Sequence, residues 1–289
     1  MILSIAGLFL IISKGDDKLT LDYSPCHEKF LITENELDQY NPAPTQTLML
    51  EIIDSPVSPQ AQLIEALCKN EIWELWQDEF NHYVFTQPKQ SPQRWVFIDP
   101  EFRNGKIIGD FSAYKQNHVY PLQYIDIVIF SNWLANFGDM ILHASGIAFN
   151  GEGFCFIGHS RAGKSTLVGD IANIPGVTVL GEDQVVLRKI DNHFMIYGTP
   201  WHERLDMCSP TGVPLKKIFF LDRNASQVIA PVRDFDAVVK IMQTAFFPVY
   251  RPEAVQGILA RLSSLEGNVH INTLAYERGT NILQVILDA

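Results

Sequence analysis

The chain has 289 residues, 47% of them apolar and 19% charged, and carries a formal net charge of -11. That length supports one large core or two modest ones, and the negative balance argues against a nucleic-acid partner, because phosphate neutralisation needs a positive surface and no Lys/Arg cluster supplies one. Cys26, Cys68, Cys155 and Cys208 are scattered without paired spacing, which reads as reduced thiols of a cytoplasmic protein rather than a disulfide scaffold.

Met1 to Ser13 is apolar, yet no basic residue precedes the run and no small-residue cleavage site follows it, so it does not read as a secretion signal. It is also too short to span a bilayer. A buried first strand is expected, with a membrane-contacting segment as the alternative. The first half continues β-rich, with apolar stretches at Thr47 to Ile53, His82 to Phe85 and Trp95 to Ile98. These are broken by turn clusters at Asn41-Pro42, Ser55-Pro56, Ser91-Pro92 and Asn104-Gly105. Ala61 to Cys68 is expected to be helical. After Tyr120-Pro121, the residues Ile125, Val128, Ile129, Trp133, Leu134 and Phe137 fall at helical spacing before Gly138 offers a stop. This change of texture divides the chain into a β-rich accessory domain over residues 1–122 and a second domain over 123–289.

From Met140 the pattern predicts a strand, an Asn150-Gly151-Glu152-Gly153 turn whose Asn-Gly pair signals a hairpin, and a second strand, Phe154 to Ile157, running into a glycine loop. A helix from Ser165 to Asn173 and a buried strand Val177 to Leu180 follow, then an extended segment Val185 to Arg188 and a turn at Asp191-Asn192 into His193 to Tyr197. Farther on, Ile218 to Leu221 reads as a strand, Asp234 to Phe246 and Glu253 to Leu265 as helices, and the tail as a strand plus a terminal helix.

The glycine loop is Gly158-His159-Ser160-Arg161-Ala162-Gly163-Lys164-Ser165, followed by Thr166. A Gly-x4-Gly-Lys-Ser element lets consecutive backbone N–H groups curl around phosphate oxygens while the next helix points its positive end at them. Lys164 would bridge the terminal phosphates, Ser165 would give its hydroxyl to Mg2+, and Thr166 would support the helix start. Average residue usage makes a chance match in a chain of this length a matter of about one in a hundred, and the strand before and helix after lower it further. A nucleoside triphosphate with a divalent metal is the ligand expected here.

Phosphoryl transfer also needs carboxylates to hold the metal and orient the nucleophile. Glu182-Asp183 ends the apolar strand Val177-Thr178-Val179-Leu180, and a strand neighbouring the glycine-loop strand in a parallel sheet would bring both acids to the same edge. His143, in Leu142-His143-Ala144-Ser145, stands alone in an apolar stretch, where histidine is more often a hydrogen-bonded core residue than a functional one. Gly198-Thr199-Pro200-Trp201-His202-Glu203-Arg204 leaves a strand and is placed to loop over a nucleotide or acceptor. Arg204 is its candidate for stabilising transferring charge, against the reading of a surface arginine.

Together, LHASGIAFNGEGFCFIGHSRAGKST and VLGEDQVVL resemble the kinase core of HPr kinase/phosphorylase and its relatives, a fold shared with ATP-dependent phosphoenolpyruvate carboxykinase. The resemblance implies a mixed α/β class, a P-loop core with a mixed sheet preceded by a β-rich N-terminal domain. It also implies an ATP-metal site lined by the His-containing strand, the P-loop and the acidic strand end, which raises His143 to a site candidate. By it, Lys164 and Ser165 match the P-loop lysine and metal-binding hydroxyl, and Asp183 matches a metal ligand. Glu182 replaces an aspartate, a departure that adds one methylene and leaves its role as base or outer-shell ligand open. Arg161 replaces a usual glycine and is expected to point outward. Trp73-Glu74-Leu75-Trp76, Phe97-Ile98-Asp99-Pro100, Tyr120-Pro121-Leu122 and Gly198-Thr199-Pro200-Trp201 look like the bacterial HPr-kinase-related proteins with a different N-terminal half.

The expected activity is ATP-dependent transfer of a γ-phosphoryl group to a hydroxyl of a peptide, a protein or a small-molecule alcohol, with ATP and Mg2+ bound. Lys164, Glu182, Asp183, His143 and Arg204 are the catalytic candidates, and Ser165 and Asp183 the metal ligands. No nucleic acid or membrane partner is expected, and a homo-oligomer is admitted without being specified. The alternatives are a catalytically silent nucleotide-sensing module, which the Glu182 and Arg161 departures allow, a carboxykinase-type decarboxylating enzyme, and a mechanochemical NTPase.

Overall fold

In a computed structural model that describes residues 1–15, 19–55, 63–89, 93–111, 118–123, 125–159, 162–202, 204–222, 228–276 and 281–289, the chain forms two units, Met1–Trp133 and Leu134–Ala289. Ser160, Arg161 and Glu203, and Pro56, Ser91 and Pro92 of the predicted turns, lie outside the described residues.

The first unit contains β1 (Ile2–Ile5), β2 (Leu8–Lys14), β3 (Thr20–Leu21), α1 (Pro25–Glu28), α2 (Glu34–Tyr40), β4 (Thr47–Asp54), β5 (Leu63–Lys69), β6 (Glu74–Asp78), β7 (Tyr83–Thr86), β8 (Arg94–Ile98), β9 (Asn104–Gly109) and β10 (His118–Val119). Eight strands make a mixed sheet in the order β1-β2-β4-β9-β8-β7-β6-β5, and β3 pairs with β10 separately. The opening apolar run is a hairpin rather than one strand. Ala6 and Gly7 both take positive φ, 54° and 72°, the two-residue turn whose twist suits adjacent antiparallel strands, and its small apolar residues conceal it in the sequence. The segment expected to be helical near Ala61 to Cys68 is instead β5, paired antiparallel to β6 with two register shifts; residues 61 and 62 lie outside the described set. Leu-Ile-Glu-Ala-Leu is locally a good helix former, but hydrogen-bonding partners offered by β6 override that weak preference.

Helix α3 (Asp126–Ala135) runs across the division between the units in sequence. It ends at Ala135, and a turn over 136–138, in which the Gly138 N–H donates to the Ala135 carbonyl and Gly138 takes φ 71°, leads the chain away. The second unit then contains β11 (Met140–Leu142), β12 (Ala144–Phe149), β13 (Glu152–Ile157), α4 (Lys164–Ile171), β14 (Val177–Gly181), β15 (Val185–Ile190), β16 (His193–Tyr197), β17 (Gly212–Leu221), β18 (Ile229–Pro231), α5 (Asp234–Met242), β19 (Ala245–Phe246), α6 (Pro252–Ser263), β20 (His270–Leu274) and α7 (Ile282–Asp288). The main path of its sheet is β14-β12-β13-β17-β16-β15-β11-β19, with β20 pairing β17 and β18. Parallel and antiparallel pairs are mixed: β13 is parallel to β17 and antiparallel to β12.

The alternation along β13 sends its side chains to two cores. Phe154 and Phe156 join Leu167, Val168 and Ile171 of α4 and Ile282, Leu283 and Ile286 of α7. Cys155 and Ile157 join Ala237 and Ile241 of α5 and Ala254, Ile258 and Leu262 of α6. This places helices on both faces of the sheet, and burial pushes the Cys155 thiol up to about 12. All four cysteines are free. No helix among the described residues is long and apolar enough to cross a membrane.

Three expectations change in detail. The strand predicted from Met140 breaks at His143, where β11 goes to β15 and β19 while β12 goes to β13 and β14. The helix from Asp234 ends at Met242, because Ala245–Phe246 pairs with β11 as β19. The acidic strand β14 is not the direct neighbour of β13: β12 lies between and is antiparallel to both.

Candidate active site

Two strands each antiparallel to a third are parallel to one another, so β13 and β14 end at the same sheet edge, and β12 begins there. In the register, Ala144 opposes Ile157 and Gly146 opposes Gly181. His143 before β12, the glycine loop after β13 and Glu182-Asp183 after β14 therefore leave one edge together.

The loop closes on itself through the N–H of Ala162, which donates to the His159 carbonyl at 3.0 Å. Gly158 makes room for this: a Cβ there would stand 2.8 Å from the Ala162 Cβ, closer than carbon atoms pack. Gly163, at φ 108° and ψ 11°, starts α4 with no side chain capping it. The first-turn amides thus have no capping side chain, the condition under which a helix N-terminus suits an anion. Ser165 and Thr166 are exposed in that turn.

Lys164 is nearly buried, at 7% exposure. Its Nζ donates to the Gly158 carbonyl at 2.6 Å and lies 3.3 Å from Nε2 of His143. The other ring nitrogen, Nδ1, is 3.2 Å from Oδ1 of Asp183. An ammonium only donates and a carboxylate only accepts, so the consistent arrangement is Lys164 donating to Nε2 and Nδ1–H donating to Asp183. Burial pushes the Lys164 amine below the ordinary lysine range, and the Asp183 carboxylate opposes that shift. The His143 backbone is fixed by its N–H, which donates to the Thr244 carbonyl at 2.8 Å.

Around the acidic pair, Ser145 Oγ on β12 donates to the Glu182 carbonyl, and the fully buried Thr199 Oγ1 donates to the Gln184 carbonyl at 2.8 Å. These bonds hold both ends of the Glu182-Asp183 turn. His202 Nε2 lies 3.1 Å from Thr199 Oγ1. Burial lowers its pKa to about 4, although Asp183 and the Gln184 carbonyl pull the other way.

The structure thus brings Lys164, His143 and Asp183 into one bonded chain, with Glu182 adjacent and Gly158, His159, Ala162, Gly163, Ser165 and Thr166 in the loop and first turn. Arg204 stands apart from that chain: it pairs with Asp206 at 2.8 Å and its side chain is 55% exposed. Ser145, Gln184, Thr199 and His202 were not singled out as site residues by sequence. Their sequence signal is the loop 198–204, in which the threonine and histidine fold back on the strand end while the arginine does not. Oxygen donors from Ser165 and Asp183 are the hard ligands that suit Mg2+, and no group of three or more His, Cys, Asp or Glu among the described residues forms a separate metal cluster.

No protein-family model matches the chain, and none of the curated proteins matches it. Among solved structures it is similar to the HPr(Ser) kinase/phosphatase from Coxiella burnetii, at 16% identity over 50% of this chain and 85% of that one, with a TM-score of 0.30.

Proposed function

We propose that the chain is an ATP-dependent phosphotransferase that moves the γ-phosphoryl group to a hydroxyl, either serine or threonine of a peptide or protein or a small-molecule alcohol. The observation that carries this reading is the bonded chain from Lys164 through His143 to Asp183 at an edge where the glycine loop and the acidic strand end also meet. A fortuitous glycine turn has no reason to tie its lysine, through a histidine, to a carboxylate from another strand.

In this reading, amides around Gly163 hold the phosphates and Lys164 turns from the Gly158 carbonyl to the developing charge on the transferring group. Ser165 and Asp183 would hold the Mg2+, which would supply charge neutralisation when bound. His143, bonded to Oδ1 of Asp183, would orient that carboxylate toward the ion, the part an outer-shell histidine plays. The acceptor oxygen forms a bond to the γ-phosphorus as the bond to the β,γ-bridging oxygen breaks, ADP leaves with that electron pair, and Glu182 takes the hydroxyl proton.

The test pairs calorimetric titration of Mg-ATP with transfer of label from γ-labelled ATP into a soluble extract of the native host, for the wild type and Lys164→Ala. A labelled species present only with wild-type protein is the expected result. Tight Mg-ATP binding with no Lys164-dependent label and no phosphate release would instead identify a nucleotide sensor.

A further inference from the structure

Beside the acidic pair, two buried polar atoms lack a partner among the described residues: Nδ1 of His202 and Oε1 of Gln184. The state of the first follows from its neighbours. The Thr199 hydroxyl has one proton and gives it to the Gln184 carbonyl, which only accepts. Thr199 Oγ1 must therefore accept from His202 Nε2 at 3.1 Å. An imidazole that carries its proton on Nε2 presents a bare lone pair at Nδ1. Both orphaned atoms are then acceptors.

The position of the ring is built into the strand end. At Gly181, the last residue before Glu182-Asp183, a Cβ would stand 2.6 Å from His202 Nε2 and 2.4 Å from the Gln184 carbonyl oxygen. The imidazole and that carbonyl fill the space a side chain would take. The His202 N–H donates to the Pro200 carbonyl at 2.9 Å, fixing the backbone that carries the ring. Burial keeps the imidazole neutral around pH 7, within the electrostatic reach of Asp183.

A buried acceptor without a donor is destabilising, and two such atoms beside a transfer site call for a ligand that supplies donors. We infer that His202 Nδ1 and Gln184 Oε1 recognise the phosphoryl acceptor by taking hydrogen bonds from its hydroxyl or amide N–H groups. The inference rests on the phosphotransferase reading and narrows it. Two lone pairs repel carboxylates and phosphates, so this part of the site selects a neutral donor-rich substrate, such as a polyol or a Ser/Thr peptide, over an anionic one. Sites built to pair with a substrate OH or N–H reject analogues that lack it strongly, because the protein atoms are otherwise left unpaired.

Three variants separate this role from a structural one. His202→Gln places an amide near Nε2, able to donate to Thr199, and has no atom at Nδ1. His202→Asn places an amide oxygen near Nδ1. Gln184→Leu removes the second unpaired acceptor, so it should fold at least as well as the wild type. Each is measured for Mg-ATP affinity by calorimetry, for melting temperature, and for label transfer from γ-labelled ATP into dilutions of the host extract.

The expected result is Mg-ATP affinity within about threefold of wild type, which is under 1 kcal/mol. Label at limiting extract should fall by about tenfold or more in His202→Gln and Gln184→Leu, recover as extract is concentrated, and be partly retained in His202→Asn. Wild-type labelling by both His202→Gln and Gln184→Leu overturns the inference and leaves the phosphotransferase reading standing. A wild type without any Lys164-dependent label overturns both. If His202→Gln fails to fold, Gln184→Leu decides alone, in the same two directions.

Discussion

Replacing His143 with alanine separates a functional histidine from a core one, the choice its apolar sequence setting leaves open. The side chains of His143 and Asp183 are 37% and 51% exposed, and their ring-to-carboxylate distance is 3.2 Å. An ion pair or charged hydrogen bond that open to water is worth about 0.2–1 kcal/mol. The backbone bond to Thr244 survives the substitution, since it uses the His143 N–H. In a unit of this size 1 kcal/mol moves the melting temperature by about 2–4 °C, so the variant should melt within a few degrees of wild type. Its activity should respond more. Losing the group that orients a metal-binding carboxylate typically lowers metal affinity or activity by about 10–100-fold, and the amine of Lys164 loses its ring partner in the same step. Differential scanning calorimetry together with Mg2+-dependent phosphate release or label transfer reads both quantities. A melting temperature lowered by about 8 °C or more, with activity per folded molecule unchanged, would make His143 a packing residue and remove the link between the glycine loop and the acidic pair.

The buried brace before β11 should behave oppositely. Asp139 accepts from Arg188 Nε at 2.8 Å and faces Arg261 Nε at 3.5 Å, with both members of the first pair at most 3% exposed; Asp139→Asn should cost about 3–5 kcal/mol in urea unfolding by stranding a buried guanidinium, and adding Arg188→Met should recover much of it. Lys217 Nζ donates to the carbonyls of Ile286 and Leu287 at 3.0 and 2.9 Å, closing the last turn of α7; Lys217→Met should destabilise by about 2 kcal/mol and raise hydrogen exchange first in α7. Because the His202 pKa falls from 6.5 to about 4 on folding, the unfolded chain binds the proton first as pH drops. Its contribution, at most about 3 kcal/mol, is present above pH 6.5, disappears between 6.5 and 4, and should be missing from the pH dependence of His202→Gln in paired urea titrations at pH 7 and 4.5.

Much of the second unit was legible because its signals are local. Asn150-Gly151 and Asp191-Asn192 announce two-residue hairpins, and all four take the positive φ these turns need. The spacing from Ile125 to Gly138 marked α3, and the glycine-lysine-serine run marked the start of α4. The readings that failed were those in which a partner strand decides. Leu63–Lys69 has helix-forming residues but becomes β5 because β6 is there to pair with it, and Ala245–Phe246 leaves its helical context to pair with β11. Ala6-Gly7 turned the first strand back without any of the polar residues that usually advertise a turn.

The candidate site divides along the same line. Lys164, Asp183 and the glycines could be named from residue type and spacing, since each belongs to a short motif that carries its own chemistry. His143 could not be decided that way, because its role depends on the break between β11 and β12, and the break depends on two sets of strand partners far away in sequence. Thr199, Gln184 and His202 were less legible still. Gln184 and Thr199 lie inside the stretches VLGEDQVVL and Gly198-Thr199-Pro200-Trp201, but residue type gives neither of them a role, and their relation to His202 appears only in the space that Gly181 leaves for the imidazole. Gly181 reads in sequence as the turn residue before an acidic pair, whereas its missing side chain is what admits the ring. A substitution at Gly181 should accordingly displace the His202 ring and the Gln184 carbonyl together, and because that carbonyl closes the Glu182-Asp183 turn, label transfer should fall along with Mg2+ dependence rather than acceptor recognition alone.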